Sequence, residues 1–484
     1  MKTKSLKKNA LYGFIRSFMN IAFPIITFPY ASRVLMPENI GKVNFANSIV
    51  DYFLMLAALG ISTYATREAT KLKNDKPKLN QFVREIIALT LFSTLISATL
   101  LFTGIFFISR LSEYRLLIIL IGTKLLFNTM DFGWLFVAEE DQKYITLRSI
   151  LFQIISLIAL FTFVHSPKDY IIYAIIGVFS SVGSNIYNLI YTRKYVNIFE
   201  KTEIHPIHHL KGILVFFGNN FAIKLYSMID TTMVGLIIGN AAVGYYTAAN
   251  KVSSMVSSLI KSSLATLMPR GTSYFDSNKQ EEFKNLIKKS AGATSFFAFP
   301  AALGLTILSK PVIIIFCGEN YLPAQGSMQI MSLLIILYAI NSMVNNLIIV
   351  PLHKEKILLT SQIAACITDI IFNAILIPTK GVWGASLATF IAQCVMFSIR
   401  LAYVSKWFFK KEIILPIIQV AFITLLMSLC VYFVYNFLEM REISLVITTL
   451  LSIIVGVIAY TFFSLLFRNK TAFQILQILK GKVL

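Results

Sequence analysis

About fourteen apolar stretches, most of them long enough to span a bilayer, follow one another along this chain of 484 residues. Hydrophobic residues make up 56% of the chain, charged residues only 14%, and the mean hydropathy is +0.72. Soluble proteins carry charged residues at about 25%, and a helix needs about 20 apolar residues to cross the hydrocarbon core. The sequence therefore predicts an all-α polytopic membrane protein with about 14 transmembrane helices.

The basic residues are distributed unevenly between the loops on the two sides of the predicted membrane. With the N-terminus inside, 31 Lys and Arg fall on the inner side and eight on the outer side. The positive-inside rule then places both termini in the cytoplasm. The same bias accounts for most of the net charge of +21 without a nucleic-acid partner. The predicted spans are 11–34, 41–62, 80–107, 112–136, 144–166, 169–192, 212–236, 241–268, 288–309, 325–349, 357–379, 383–405, 413–437 and 442–467.

A weak internal repeat divides the chain. Residues 40–47 align with residues 243–250, and the pairs Gly41–Asn47 and Gly244–Asn250 have the same spacing. Six predicted spans separate the two copies, so both halves have the same orientation, as in transporters built from parallel repeats that bind cargo between them. We predict a six-helix lobe at residues 1–200, a second at 201–405, and two further helices with a cytoplasmic tail at 406–484.

Apart from the charged residues assigned to the loops, nine Lys, Arg and Asp residues lie inside the predicted spans, where a charge is costly and usually serves a function. Polar residues share helix faces with several of them, as an internal water-filled cavity requires. In the fourth span, for example, Lys124, Asn128 and Asp131 are predicted on one face. The nine residues are Arg16, Lys124, Lys224, Lys251, Lys261, Asp51, Asp131, Asp230 and Asp369.

Three alternatives to a cargo site stay open at this stage. The polar side chains can hydrogen-bond neighbouring helices. Lys224 with Asp230, or Lys124 with Asp51, can form structural ion pairs. Arg16 and Lys261 lie near span ends, from which their long side chains can reach the headgroups.

The spacing of these residues favours a cationic site that binds an anionic cargo. The candidate ion-coupling residues are Asp51, Asp131 and Asp230. The sequence contains no Gly-rich phosphate loop, so we expect no ATP hydrolysis. It shows no metal-ligand spacing and no Ser/His/Asp or paired-carboxylate constellation, so we expect neither catalytic residues nor a cofactor. The cluster Ile204–His209 is interpreted as a solvated linker rather than a metal site. The candidate substrate-binding residues are Arg16, Lys124, Lys224, Lys251, Asn47, Asn220, Asn250 and Ser254.

Several local strings resemble the Wzx/RfbX family of polysaccharide flippases, in the multidrug/oligosaccharidyl-lipid/polysaccharide superfamily. The resemblance covers about residues 1–405, while the last two predicted spans match by number alone. The strings are Lys8-Asn9-Ala10-Leu11 before a span with Pro24 and Pro29, Leu59-Gly60-Ile61 with Thr66-Arg67-Glu68, residues 225–230 and 243–251, Met268-Pro269-Arg270, Ile377-Pro378 and residues 381–386.

The resemblance implies a secondary transporter that moves an undecaprenyl-pyrophosphate-linked oligosaccharide from the inner to the outer leaflet of the bacterial cytoplasmic membrane by alternating access. Its implied partners are that lipid-linked oligosaccharide, membrane lipids, and the polymerase and glycosyltransferases of the same pathway. One alternative is a drug or metabolite cation antiporter of the same fold, although the intramembrane lysines favour an anion. A polysaccharide polymerase or ligase is a second alternative, but such enzymes need an outer catalytic loop, and the predicted outer loops are short.

Overall fold

A computed structural model describes residues 6–200, 203–408 and 410–479, and the regular structure in these ranges is helical. The α-helices are α1 (Leu6–Ala58), α2 (Ile61–Leu72), α3 (Lys76–Phe107), α4 (Arg115–Leu126), α5 (Gly133–Ala138), α6 (Gln142–Phe163), α7 (Tyr170–Thr192), α8 (Leu210–Ile237), α9 (Asn240–Ala265), α10 (Met268–Asp276), α11 (Gln280–Ile307), α12 (Ser309–Cys317), α13 (Gln325–Val344), α14 (Glu355–Phe408), α15 (Lys411–Glu439), α16 (Leu445–Leu466) and α17 (Lys470–Leu479). Short 3₁₀-helices lie at Ser109–Tyr114, Asn128–Met130, Pro167–Asp169, Pro206–His209 and Glu319–Ala324, and a π-helix at Asn345–Ile349 extends α13.

The long helices are suited to a bilayer. Among the described residues, nine helical segments are long and apolar enough to cross a membrane, and α8 with the turn before it makes a tenth that bends by 43°. Two of the nine contain two predicted spans each, because α1 is broken at Met36 and α14 at Gly381. Large apolar side chains such as Phe92, Ile418 and Val457 are exposed, as contact with lipid allows. The predicted all-α polytopic membrane fold is confirmed, with the count of fourteen helices an approximation.

The break in α1 has a local cause. Pro37 has no backbone N–H, and the ring of a proline disfavours the helical conformation of the residue before it. Met36 accordingly leaves the helix with φ 63° and ψ 165°, whereas the helix continues through Pro24 and Pro29. In α14 the break falls on a glycine, Gly381, whose φ of 61° is easily adopted without a side chain.

The predicted span 112–136 is wrong as one continuous helix. Helix α4 ends at Leu126, a 3₁₀ turn follows at Asn128–Met130, and the backbone of Asp131 leaves the helical conformation with ψ 87°. The Asp131 carboxylate accepts a hydrogen bond from the Gly133 backbone N–H at 3.0 Å. Side chains of Asn and Asp compete with the helix for backbone hydrogen bonds, and this local bond helps to end the helical pattern here. Lys124, Asn128 and Asp131 therefore do not share one helix face.

The chain forms two compact units, Met1–Gly244 and Tyr245–Leu484. A core of the first unit packs α2, α3 and α5 around Tyr64, Phe82 and Trp134. In the second unit, a core around Phe283 and Ile348 joins α11, α14 and the π-helix. The lobe boundaries after residues 200 and 405 rest on the repeat and stay a prediction.

The two glycines of the repeat lie at one close helix crossing inside the first unit. A Cβ on Gly41 would stand 1.7 Å from the carbonyl oxygen of Asn240, and one on Gly244 would stand 2.2 Å from the carbonyl oxygen of Pro37. The Asn240 amide fixes the crossing, because it donates to Glu38 at 2.8 Å and accepts from the Tyr114 hydroxyl at 2.5 Å. Small residues permit such backbone approach in membranes, which explains glycine in both copies.

Candidate functional site

A polar cavity of about 530 Å³ lies within the first unit, between the second half of α1, the end of α4, α7 and α8. Its lining includes four charged side chains, from Asp51, Lys124, Asp131 and Lys224. Three amides, from Asn128, Asn185 and Asn220, also line it. The cavity thus combines positive and negative groups with neutral hydrogen-bonding groups, inside helices that are otherwise apolar.

Lys124 is held in the cavity by a neutral partner. Its Nζ donates a hydrogen bond to Asn47 Oδ1 at 3.0 Å, and the Asn47 amide donates in turn to the Val43 carbonyl oxygen at 2.9 Å. Asn47 is therefore oriented by its own helix before it meets the lysine. Within the described ranges Lys124 forms no ion pair, so the direct Lys124–Asp51 bridge is absent there.

Lys224 lies on α8 and is exposed to the cavity, one turn after Asn220. It also forms no ion pair with the part of the chain that the structure describes, so a bridge to Asp230 is absent there too. Both Lys124 and Lys224 attract the carboxylate of Asp51 electrostatically. Asp51 is thus close enough to each lysine to interact with its charge, without a direct salt bridge to either in the described residues.

The acidic candidates occupy different environments. Asp51 is half-buried in the cavity wall, whereas Asp131 is exposed where the chain turns after α4. Asp230 is buried in α8 and is not one of the residues that line this cavity. With two lysines and two aspartates, the site is mixed in charge rather than purely cationic.

Other candidates lie elsewhere. Arg16 is half-buried on α1 beside Arg148, which hydrogen-bonds to Asn188, and it does not line the cavity. Lys251, Asn250 and Ser254 belong to α9 in the second unit.

The serine stripe of α9 is bonded to its own helix. The Ser254 hydroxyl donates to the Lys251 carbonyl oxygen at 3.0 Å, and the Ser258 hydroxyl donates to the Ser254 carbonyl oxygen at 2.7 Å. These hydroxyls keep their oxygens as acceptors. On the same helix, the Lys261 amine lies 4.2 Å from the centroid of the Tyr338 ring, a cation–π contact that holds it inside the second unit.

Helix α7 also contributes to the cavity, although the predicted polar stripes did not include it. Ser181 and Asn185 line the cavity, and Asn185 Nδ2 also donates to the Phe127 carbonyl oxygen at 3.1 Å where α4 ends. Their spacing of four residues places them on one face of α7, and the same search for polar stripes applied to 169–192 would have found them.

The fold has known relatives. The chain matches the solved structure "Lipid II flippase MurJ, inward closed conformation" with a TM-score of 0.77 and 16% identity, covering 95% of this chain and 99% of that one. A multidrug resistance transporter of the MATE family in an inward-facing conformation matches with a TM-score of 0.61 and 14% identity, covering 82% and 98%. At these identities the matches show that the chain shares the fold of these two transporters.

The family follows from the sequence. Residues 6–275 match the family model described as "Polysaccharide biosynthesis protein", and the chain belongs to this family. A "Putative O-antigen transporter" of Escherichia coli is 25% identical over 83% of this chain and 97% of its own length. "Capsular polysaccharide biosynthesis protein CapF" of Staphylococcus aureus is 20% identical over 84% and 99%. The resemblance to Wzx-type flippases is confirmed.

Proposed function

We propose that this protein moves an undecaprenyl-pyrophosphate-linked oligosaccharide across the bacterial cytoplasmic membrane, from the inner to the outer leaflet, for surface polysaccharide synthesis. The support is threefold: membership of the polysaccharide biosynthesis family, similarity over more than four fifths of the chain to a putative O-antigen transporter and a capsular polysaccharide biosynthesis protein, and the fold of a lipid II flippase. The termini lie in the cytoplasm, as the distribution of basic residues indicates.

The observation that carries the proposal is the placement of Lys124 and Lys224 in one polar cavity. Lysine has three N–H donors, and within the described residues Lys124 uses one of them, on Asn47. The remaining donors, together with those of Lys224, bind the pyrophosphate. Hydrogen bonds to a charged group contribute about 1.5–3 kcal/mol each, so two amines give the headgroup a substantial share of its binding free energy.

The neutral side chains of the cavity bind the sugars. Asn128, Asn185 and Asn220 each offer a donor and an acceptor to the hydroxyl groups of a sugar ring. The lipid tail stays in the bilayer. The cargo is bound at a later stage of the cycle by residues of the second unit, which are Lys251, Asn250 and Ser254. Arg16 attracts the cargo at the cytoplasmic entrance.

The cycle is one of alternating access, driven by ions rather than nucleotide. Asp51 and Asp131 take up and release the coupling cation, with Asp230 as a third candidate. Asp51 suits this role because it shares the cavity with both lysines and is attracted by each of them. Cargo binding at the amines therefore changes the cation affinity of this carboxylate. The membrane potential contributes about 2.3 kcal/mol per charge per 100 mV, which is enough to bias such a cycle.

The test is complementation of a strain that lacks the gene. Lys124→Ala with Lys224→Ala should abolish surface polysaccharide while the protein accumulates in the membrane at the normal level. Lys143→Ala, which removes an exposed lysine at the start of α6, is the matched control and should restore the polymer. Full polymer from the double variant contradicts the proposal.

The two aspartates of the cavity, Asp51 and Asp131, favour a second candidate function, that of a cation antiporter. The same strains separate the two functions when efflux pumps are also deleted. If the strain that lacks the gene loses surface polysaccharide but exports fluorescent cationic drugs as before, the flippase is supported. If the protein exports these drugs, an Asp51 variant loses the export, and a strain without the protein still makes normal polysaccharide, the antiporter is supported.

A further inference from the structure

The histidine cluster before α8 is only partly the solvated linker that the sequence indicated, because His205 and His208 are exposed but His209 is buried. The 3₁₀-helix Pro206–His209 lies against α3, and His209 is buried there together with Glu85. His209 Nε2 lies 2.8 Å from Glu85 Oε2. The neighbouring ring of His208 is exposed, and its centroid lies 3.7 Å from that of His209.

Each ring in this cluster has an outer partner on Nδ1. The Tyr64 hydroxyl lies 2.7 Å from Nδ1 of His209, and the His205 carbonyl oxygen lies beside Nδ1 of His208. A metal-binding histidine almost always donates its other ring N–H to an oxygen in this way, which fixes the tautomer. With both Nδ1–H groups donating, Nε2 of both rings presents a lone pair.

The carboxylate is also oriented by a second set of contacts. Glu85 Oε1 accepts from the His205 backbone N–H at 2.9 Å and from the Gln81 amide at 3.3 Å. Oε2 is thereby directed at His209 Nε2. When Nδ1–H of His209 donates to Tyr64, two lone pairs face each other at 2.8 Å and a cation between them is favourable; when the Tyr64 hydroxyl donates instead, Nε2–H donates to Glu85 and no cation is needed.

We propose that Glu85, His208 and His209 bind a divalent transition-metal ion of the Zn²⁺ class. The ligand atoms of the three residues lie within 4.8 Å of one another. Two imidazoles and one carboxylate form a known zinc ligand set, with water as the fourth ligand. Bond lengths of about 2.0–2.2 Å place tetrahedral ligand atoms about 3.3 Å apart. The Glu85–His209 pair opens slightly to reach this distance, and the exposed His208 ring rotates inward.

The ion connects the segment before α8 to α3, because His208 and His209 belong to that segment and Glu85 belongs to α3. Tyr64 on α2 contributes as a positioning residue through His209, so three elements of the first unit meet at the metal. This site does not depend on the proposed function, because it uses none of the residues that line the polar cavity.

The experiment uses the purified full-length protein in detergent, without a polyhistidine tag and after treatment with a chelator. Zn²⁺ alone is titrated by calorimetry, and Co²⁺ is added separately to record the absorption of a tetrahedral site. The wild type should bind one ion per chain. His208→Ala should abolish that binding, and because His208 is exposed, the variant keeps its fold. Tyr64→Phe should weaken Zn²⁺ affinity about 10- to 100-fold, the usual effect of losing an outer-shell partner.

The matched control is His353→Ala, which removes an exposed histidine that lies 3.2 Å from the carboxylate of Asp276. It should bind Zn²⁺ like the wild type. Zn²⁺ should also raise the unfolding temperature of the wild type and of this control, but not that of His208→Ala. Absence of saturable binding by the wild type, or equal binding by wild type and His208→Ala, overturns the proposal and leaves a Tyr64–His209–Glu85 hydrogen-bond chain.

Discussion

Replacing Gly41 by alanine tests whether the repeated glycines exist to bring two helices together. The added Cβ would lie 1.7 Å from the Asn240 carbonyl oxygen. Because the obstacle is backbone, no side-chain rotation relieves it, and the two helices have to separate. Separation also strains the hydrogen bonds of the Asn240 side chain with Glu38 and Tyr114. Overpacking costs about 1–3 kcal/mol and each weakened hydrogen bond about 0.5–1.5 kcal/mol, so we expect a loss of about 2 kcal/mol or more.

The assay is the apparent unfolding temperature of the purified protein in detergent, compared among variants at one heating rate. Gly177→Ala in α7 is the matched control, because its Cβ would have no neighbour within 4 Å. Gly41→Ala should unfold at a clearly lower temperature than the wild type, and Gly177→Ala should not. Gly244→Ala should lower the unfolding temperature as Gly41→Ala does. The double variant should lower it by less than the sum of the two single changes, because both substitutions act on one helix crossing. Equal stability of Gly41→Ala and Gly177→Ala would refute the packing argument.

Three further predictions concern the turns and the polar contacts. Gly381→Val should lower the unfolding temperature, because φ of 61° is strained for a β-branched residue, whereas Met36→Gly should not. Asp141→Asn should cost about 1.5–3 kcal/mol of stability, measured as above, because this carboxylate accepts hydrogen bonds from Tyr191 and Tyr195. Asn47→Leu should reduce surface polysaccharide at a normal protein level, since it removes the acceptor that positions Lys124.

Helices were predictable where hydrophobicity alone determines them. The apolar stretch 442–467 corresponds to α16 at Leu445–Leu466, and 144–166 to α6 at Gln142–Phe163. Prolines were less informative, because Pro24 and Pro29 stay within the helix while the break falls at Met36. A transmembrane helix tolerates proline when neighbouring groups satisfy the freed carbonyl, and this depends on contacts that the local sequence does not reveal.

The site was predictable only in part. Depth and helical spacing indicated five candidate residues that the structure brings together in the cavity: Lys124, Lys224, Asn220, Asp51 and Asp131. The end of α4 after Leu126 could not be foreseen, because the apolar pattern continues through Trp134 and Phe136.

Contacts between distant segments could not be predicted, because the spacing of residues along the chain indicates only which residues share a helix face. The hydrogen bond from Lys124 to Asn47 joins residues 77 positions apart, and nothing in the sequence favours this partner over Asp51. Similarly, the contact of the buried His209 with Glu85 joins residues 124 positions apart.

The most direct test of the central claim is flipping in proteoliposomes. The purified protein is reconstituted with an undecaprenyl-pyrophosphate-linked oligosaccharide, and the rate at which the sugar reaches the opposite leaflet is measured. Two lost amine contacts of about 1.5 kcal/mol or more each correspond to about a 100-fold weaker binding of the headgroup. We expect Lys124→Gln with Lys224→Gln to abolish flipping at a low substrate concentration, while Lys143→Gln flips normally. Wild-type rates in the double variant would contradict the proposed role of the two amines.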